Sequence, residues 1–127
     1  MKLFLASVAL CLSAMAGLAQ DAVTRTELSR HPLSGVAGME VVKSKMVLLK
    51  GAKIPFHTHP GDEHAIVVEG GLMALPNGEI VEFADGTPLF FPERDVHGGL
   101  TAQSDTPIVV YTTHIVRAGE PMTVLAE

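Results

Sequence analysis

Glycine and proline cut residues 39–116 into short apolar runs, and no run spaces apolar side chains at three and four over the ten or more positions an amphipathic helix needs. The chain is therefore confined to strands joined by turns. Residues 39–49 interleave Val, Met and Leu with lysines, the pattern of a strand with one wet face. Residues 54–59 and 63–69 form two further runs across Pro60-Gly61-Asp62, a strong turn signal. Residues 71–75 and 80–83 flank Pro76-Asn77-Gly78, whose Asn-Gly pair suits the positive backbone angles of a tight hairpin. Residues 89–91 and 108–116 complete a set that predicts an all-β sandwich or closed barrel.

A chain of 127 residues has room for one such core. Residues 1–19 stand apart from it: Lys2 gives a basic start, 3–12 are apolar apart from Ser7, and Gly17-Leu18-Ala19 places small residues where cleavage would fall. This reads as a secretory signal peptide cleaved after Ala19, which predicts a periplasmic or secreted protein. The rival reading, an uncleaved anchor, needs roughly 20 apolar residues, and Ser13 interrupts this stretch early. A lipoprotein would want a small residue before Cys11, where Leu10 stands. Cys11 is the only cysteine, so the mature chain would have no disulfide, thiolate ligand or cysteine nucleophile. Loss of Lys2, the one charged residue of the leader, takes the formal charge from -5 to -6. No basic patch is left for nucleic acid, and none for a membrane surface after cleavage. Residues 20–38 are less regular and predict an arm along a sheet edge, a device that protects the edge or builds a homodimer. Residues 39–127 are expected to hold the barrel.

The chemistry concentrates in residues 51–70, GAKIPFHTHPGDEHAIVVEG. Residues two apart on a strand share a face, so His57 and His59 can aim both imidazoles into one cavity. Glu63 opens the next strand across the turn and can face them. His97 follows its own Gly86…Pro92 turn signal and must arrive from a distant strand. Three imidazoles and a carboxylate suit a divalent transition metal with positions left open for water or substrate. His64 is the alternative to Glu63, because a one-residue slip of register would exchange the faces.

With these residues the chain resembles the cupin superfamily, small jelly-roll β-barrels. The first motif of that family is a glycine, five residues, His-x-His, three or four residues, Glu, six residues and a glycine. Gly51, His57, His59, Glu63 and Gly70 match it throughout. In the second motif Gly86, Pro92 and His97 match, while Arg94 replaces a glycine and Thr101 an asparagine. The resemblance covers roughly residues 39–116 and implies that His57, His59, Glu63 and His97 coordinate the metal. It also implies that the loop around Arg94 and Thr101 departs from the family pattern.

Around this set, His114 is read as covering a sheet, with the cavity mouth as its alternative, and His31 as facing solvent. Arg94 is read as an exposed turn residue that could instead meet an anionic substrate. Phe56, Val67, Met73, Leu89 and Phe91 are candidates for the pocket wall or for plain core, and Tyr111 for cavity or core. Fe, Mn, Ni, Co and Zn all suit the donors. Two functions are weighed: a binding module that holds a metal and a small-molecule ligand, and a metal-dependent dioxygenase, isomerase or decarboxylase acting on an oxygen-rich small molecule. A barrel without metal would leave the four donors unexplained. No catalytic residue is assigned.

Overall fold

The computed structural model describes residues 21–127; the signal-peptide reading of residues 1–19 lies outside them. Every regular element among the described residues is a strand: β1 Val23–Pro32, β2 Met39–Leu48, β3 Lys53–Ile54, β4 His57–Thr58, β5 Gly61–Glu69, β6 Gly71–Ala74, β7 Ile80–Phe83, β8 Pro88–Phe91, β9 Leu100–Ala102, β10 Ile108–Arg117 and β11 Val124–Leu125. The all-β expectation holds. One sheet runs β1-β2-β10-β5-β8 and a second β3-β9-β6-β7, with β11 paired to β4 beside them. The first sheet is antiparallel throughout, so one face can be dry and the other wet.

Alternation decides which face is which. In β5, Glu63, Ala65 and Val67 are buried while His64, Ile66 and Val68 are exposed. In β10 the even-numbered residues from Ile108 to Val116 are buried, and Tyr111 points outward. The core between the sheets is built from Met46, Leu48, Ala65, Val67, Met73 and Ile108 with their neighbours. Covering one face of each sheet in this way supplies most of the drive to fold, at roughly 25 cal/mol per Å² of apolar surface removed from water.

Two segments differ from a plain reading of the pattern. Residues 21–38 contain a regular ten-residue strand, β1, which pairs antiparallel with β2 at the sheet edge and shifts register between Glu27 and Ser29. The single run expected over 54–59 is split into β3 and β4 by Pro55, which has no N–H to give a ladder. Beyond that break His57, two residues on, pairs with His97 and Leu125 instead.

Candidate metal centre

Each prospective ligand is fixed by backbone before its side chain is considered. His57 and His97 form an isolated antiparallel bridge in which each N–H donates to the other's carbonyl, at 2.9 and 3.0 Å. Glu63 sits inside β5, with His114 of β10 opposite it on one side and Phe91 of β8 on the other. His59 leads into the turn before β5. One ligand atom from each of His57, His59, Glu63 and His97 lies within 4.8 Å of the other three. The first three are buried and His97 is nearly so.

The tautomers follow from the partners. His57 Nδ1 donates to the Pro55 carbonyl at 2.8 Å, His59 Nδ1 to the Met122 carbonyl at 2.6 Å, and His97 Nδ1 to the Asp95 carbonyl at 2.9 Å. A carbonyl can only accept, so each Nδ1 carries the hydrogen and each neutral ring presents a bare Nε2 lone pair. Two of those nitrogens meet Glu63 Oε2, from His59 at 2.9 Å and from His97 at 3.1 Å. His59 Nε2 is completely buried and makes no well-aligned hydrogen bond. Stacking of Phe91 on His97, with centroids 4.0 Å apart and planes 9° off parallel, holds that ring in place.

Electrostatics push the cluster toward anionic and neutral forms. Burial acts to raise the Glu63 carboxyl, but the approach of His114 and His59, each able to donate an Nε2–H once its ring is protonated, overcomes it and sets the group well below the ordinary carboxylate range. Burial pushes His57 down, and it pushes His114 down as well. With each Nδ1–H given to a carbonyl, the neutral rings of His59 and His97 turn their Nε2 lone pairs on the Glu63 carboxylate, an arrangement that calls for a cation between them. The donor set fits a divalent transition metal: nitrogen and oxygen ligands, each ring oriented through its other nitrogen by a second hydrogen bond.

The alternatives left open by the sequence are placed as follows. His64 points out of the barrel and stacks on Phe90, so Glu63 is the residue that faces the histidines. Arg94 is exposed, ion-paired with Glu120, and has a φ of 61° where the family has glycine. His31 is exposed. Val67, Met73, Leu89 and Phe91 wall a cavity of about 70 Å³ reached by His57, Glu63 and His97. Phe56 does not line it and is 44% exposed.

His114 is not the sheet cover it was read as. It is fully buried, its ring centroid is 4.5 Å from that of His59, and its Nε2 lies 3.5 Å from Glu63 Oε2. Neither of its ring nitrogens has a hydrogen-bond partner. The even and odd residues of 108–116 are similarly apolar, so alternation alone did not reveal its face. The Met122 carbonyl was also missed, because a backbone acceptor leaves no mark in a sequence.

The match to the cupin domain model covers residues 44–121. The chain belongs to the cupin family. An auxin-binding protein from Prunus persica is 32% identical over 104 residues, 71% of this chain and 44% of that protein, so the chain spans less than half of that curated relative. A cupin domain from Bordetella pertussis is similar in structure, with a TM-score of 0.54 at 20% identity over 78% of this chain and 98% of the other. A DMSP lyase from Ruegeria pomeroyi gives 0.59 at 18% identity over 84% and 52%. A polyketide cyclase from Streptomyces resistomycificus gives 0.58 at 18% identity over 84% and 73%. At these identities the structural matches establish a shared cupin jelly-roll fold and nothing about reaction.

Proposed function

We propose that this protein is an exported cupin that binds one divalent transition metal through His57, His59, Glu63 and His97 and uses the centre to hold a small molecule. The observation that carries this reading is the meeting of Nε2 lone pairs with the Glu63 carboxylate while every Nδ1–H is committed to a backbone carbonyl. Without a cation that contact is repulsive, and a buried carboxylate left unpaired costs several kcal/mol. Iron, manganese, nickel, cobalt and zinc all fit these donors. When bound, such an ion acts as a Lewis acid that polarises an oxygen of the molecule it holds.

Binding is favoured over catalysis by the cavity wall. Apart from the ligands and Arg25, the residues around the cavity are apolar or glycine, so no separate acid or base faces a bound molecule. His114 lies behind Glu63 and does not line the cavity. Names of similar proteins fit both readings: an auxin-binding protein is a binder, a DMSP lyase and a polyketide cyclase are enzymes.

Elemental analysis of protein purified from a metal-replete host is expected to find about one equivalent of divalent metal per chain. The double variant His57→Ala, His59→Ala is expected to carry none. Full occupancy in that variant would refute the assignment. For the enzymatic alternative, oxygen uptake and product formation should be followed over catechols, flavonols, organic acids and sugars with each metal restored. Turnover of any of them would replace the binding reading with the enzymatic one.

A further inference from the structure

Arg25 was silent in the sequence and stands out in the fold. It is the partner of Met46 in the β1–β2 ladder, and Met46, Val110 and Val67 continue the same inward-facing row across the sheet. Arg25 is exposed at the edge strand, at the end of that apolar row, with its guanidinium turned in toward Thr112 and Met46. Its guanidinium makes two long contacts, Nη1 to Thr112 Oγ1 and Nη2 to Met46 Sδ, both at 3.5 Å. Arg30, Arg94 and Arg117 each pair with glutamates, whereas no carboxylate lies within 4.0 Å of Arg25 among the described residues.

Arg25 also stands where a cavity and a surface depression meet. The inner cavity of about 70 Å³ is the one the metal centre faces. A shallow, open depression outside it shares Arg25, Met46, Ile54 and His57 with it and adds Val23, Lys53, Pro55 and Thr123. The outer lining contains two cationic side chains and no acidic one, in a chain with 14 acidic and 9 basic residues. A planar guanidinium with unused donors beside an apolar recess matches a carboxylate attached to an apolar body.

We infer that the ligand is a small organic carboxylate whose anionic end is held by Arg25, with Lys53 adding to the field, while its apolar body enters the inner cavity toward the metal. The inference rests on this cavity being the ligand site proposed above, and it adds the charge class of the ligand and the residue that selects it. Arg25 touches the ligand without serving the metal. A rival role exists, because an inward charge on an edge strand also discourages sheet-to-sheet pairing; that role would leave ligand selection unchanged when Arg25 is replaced.

The test is calorimetric titration of the zinc-loaded and the chelator-stripped protein with benzoate and hexanoate, each against its neutral amide. The acids are expected to bind about tenfold tighter than the amides in both metal states. Arg25→Met should erase that preference, Arg25→Lys should keep part of it, and Arg117→Met should leave it unchanged. Equal binding of acid and amide, or no saturable binding of either acid, would overturn the inference. A preference that vanishes on chelation and ignores Arg25→Met would also overturn it, assigning anion recognition to the metal and leaving the metal reading intact. An Arg25-dependent preference in protein that elemental analysis finds free of metal would sustain the inference while the metal reading fails.

Discussion

His114 stands apart from the other histidines of the cluster. His57, His59 and His97 each spend Nδ1–H on a backbone carbonyl, while His114 has both nitrogens buried and unpartnered, with Nε2 3.5 Å from the Glu63 carboxylate. A group so placed steadies the carboxylate from behind and costs the fold unmet hydrogen bonds. His114→Leu is therefore expected to weaken metal binding by about 10-fold while leaving the thermal stability of chelated protein unchanged or higher. Competition with a chromophoric chelator measures the first and calorimetry the second, and an unchanged metal affinity would remove His114 from this role. Gly98 acts on the other side: its φ is 104°, and a β-carbon there would stand 2.3 Å from the Pro55 carbonyl oxygen that orients His57. Gly98→Ala should cost more than about 2 kcal/mol in chemical denaturation and weaken metal binding too; tolerance without loss would show that the loop yields. The candidate ligands were legible because alternation and two turns put His57, His59, Glu63 and His97 in a recognisable pattern. Gly98, His114 and Arg25 were not, since their roles depend on approaches between segments far apart in sequence.

At the scale of elements, β10 and the C-terminal tail divide the work of positioning. β10 lies between β2 and β5, and carries His114 to Glu63. The tail reaches back across the barrel: β11 pairs with β4, setting Leu125 opposite His57, and the Met122 carbonyl receives the His59 Nδ1–H. Residues 122–127 lie just beyond the segment matched by the cupin model. Val124 and Leu125 are exposed, so removing the tail should spare the core and disturb the two histidines. Truncation after Pro121 is expected to weaken metal binding by about 10–100-fold with native circular dichroism retained; unaltered affinity would mean the tail is not needed to orient the rings. Most strands were readable from apolar runs and turn residues, β2, β5 and β10 above all. β9 and β11 were not, because three and two residues carry no measurable alternation. β1 was blurred by its own exposure: a ten-residue edge strand with eight exposed residues has little apolar pattern to show.

For the whole molecule, the buried cluster ties folding to proton concentration. Glu63 is held below its ordinary value of 4.5, so the unfolded chain takes its proton more readily. Its contribution to stability is complete above about pH 4.5 and is lost as the pH falls toward the lower folded value. His57 and His114 are pushed below 6.5 by burial, so the unfolded chain again binds protons that the folded one refuses. That contribution is present above about pH 6.5 and declines on acidification until the folded values are reached. All three groups favour the fold at higher pH, and a bound cation strengthens the trend because protons compete for the same imidazole and carboxylate atoms. Metal that binds the folded chain alone adds stability by RT ln(1 + [M]/Kd), so its contribution shrinks as acid raises the apparent Kd. Melting temperatures with zinc and with chelator should thus differ most above pH 7, converge toward pH 5, and both fall between those limits. A zinc-dependent difference undiminished at pH 5 would place the ion on other atoms. Chelated protein more stable at pH 5 than at pH 7 would show that these buried groups do not set the acid limit of the fold.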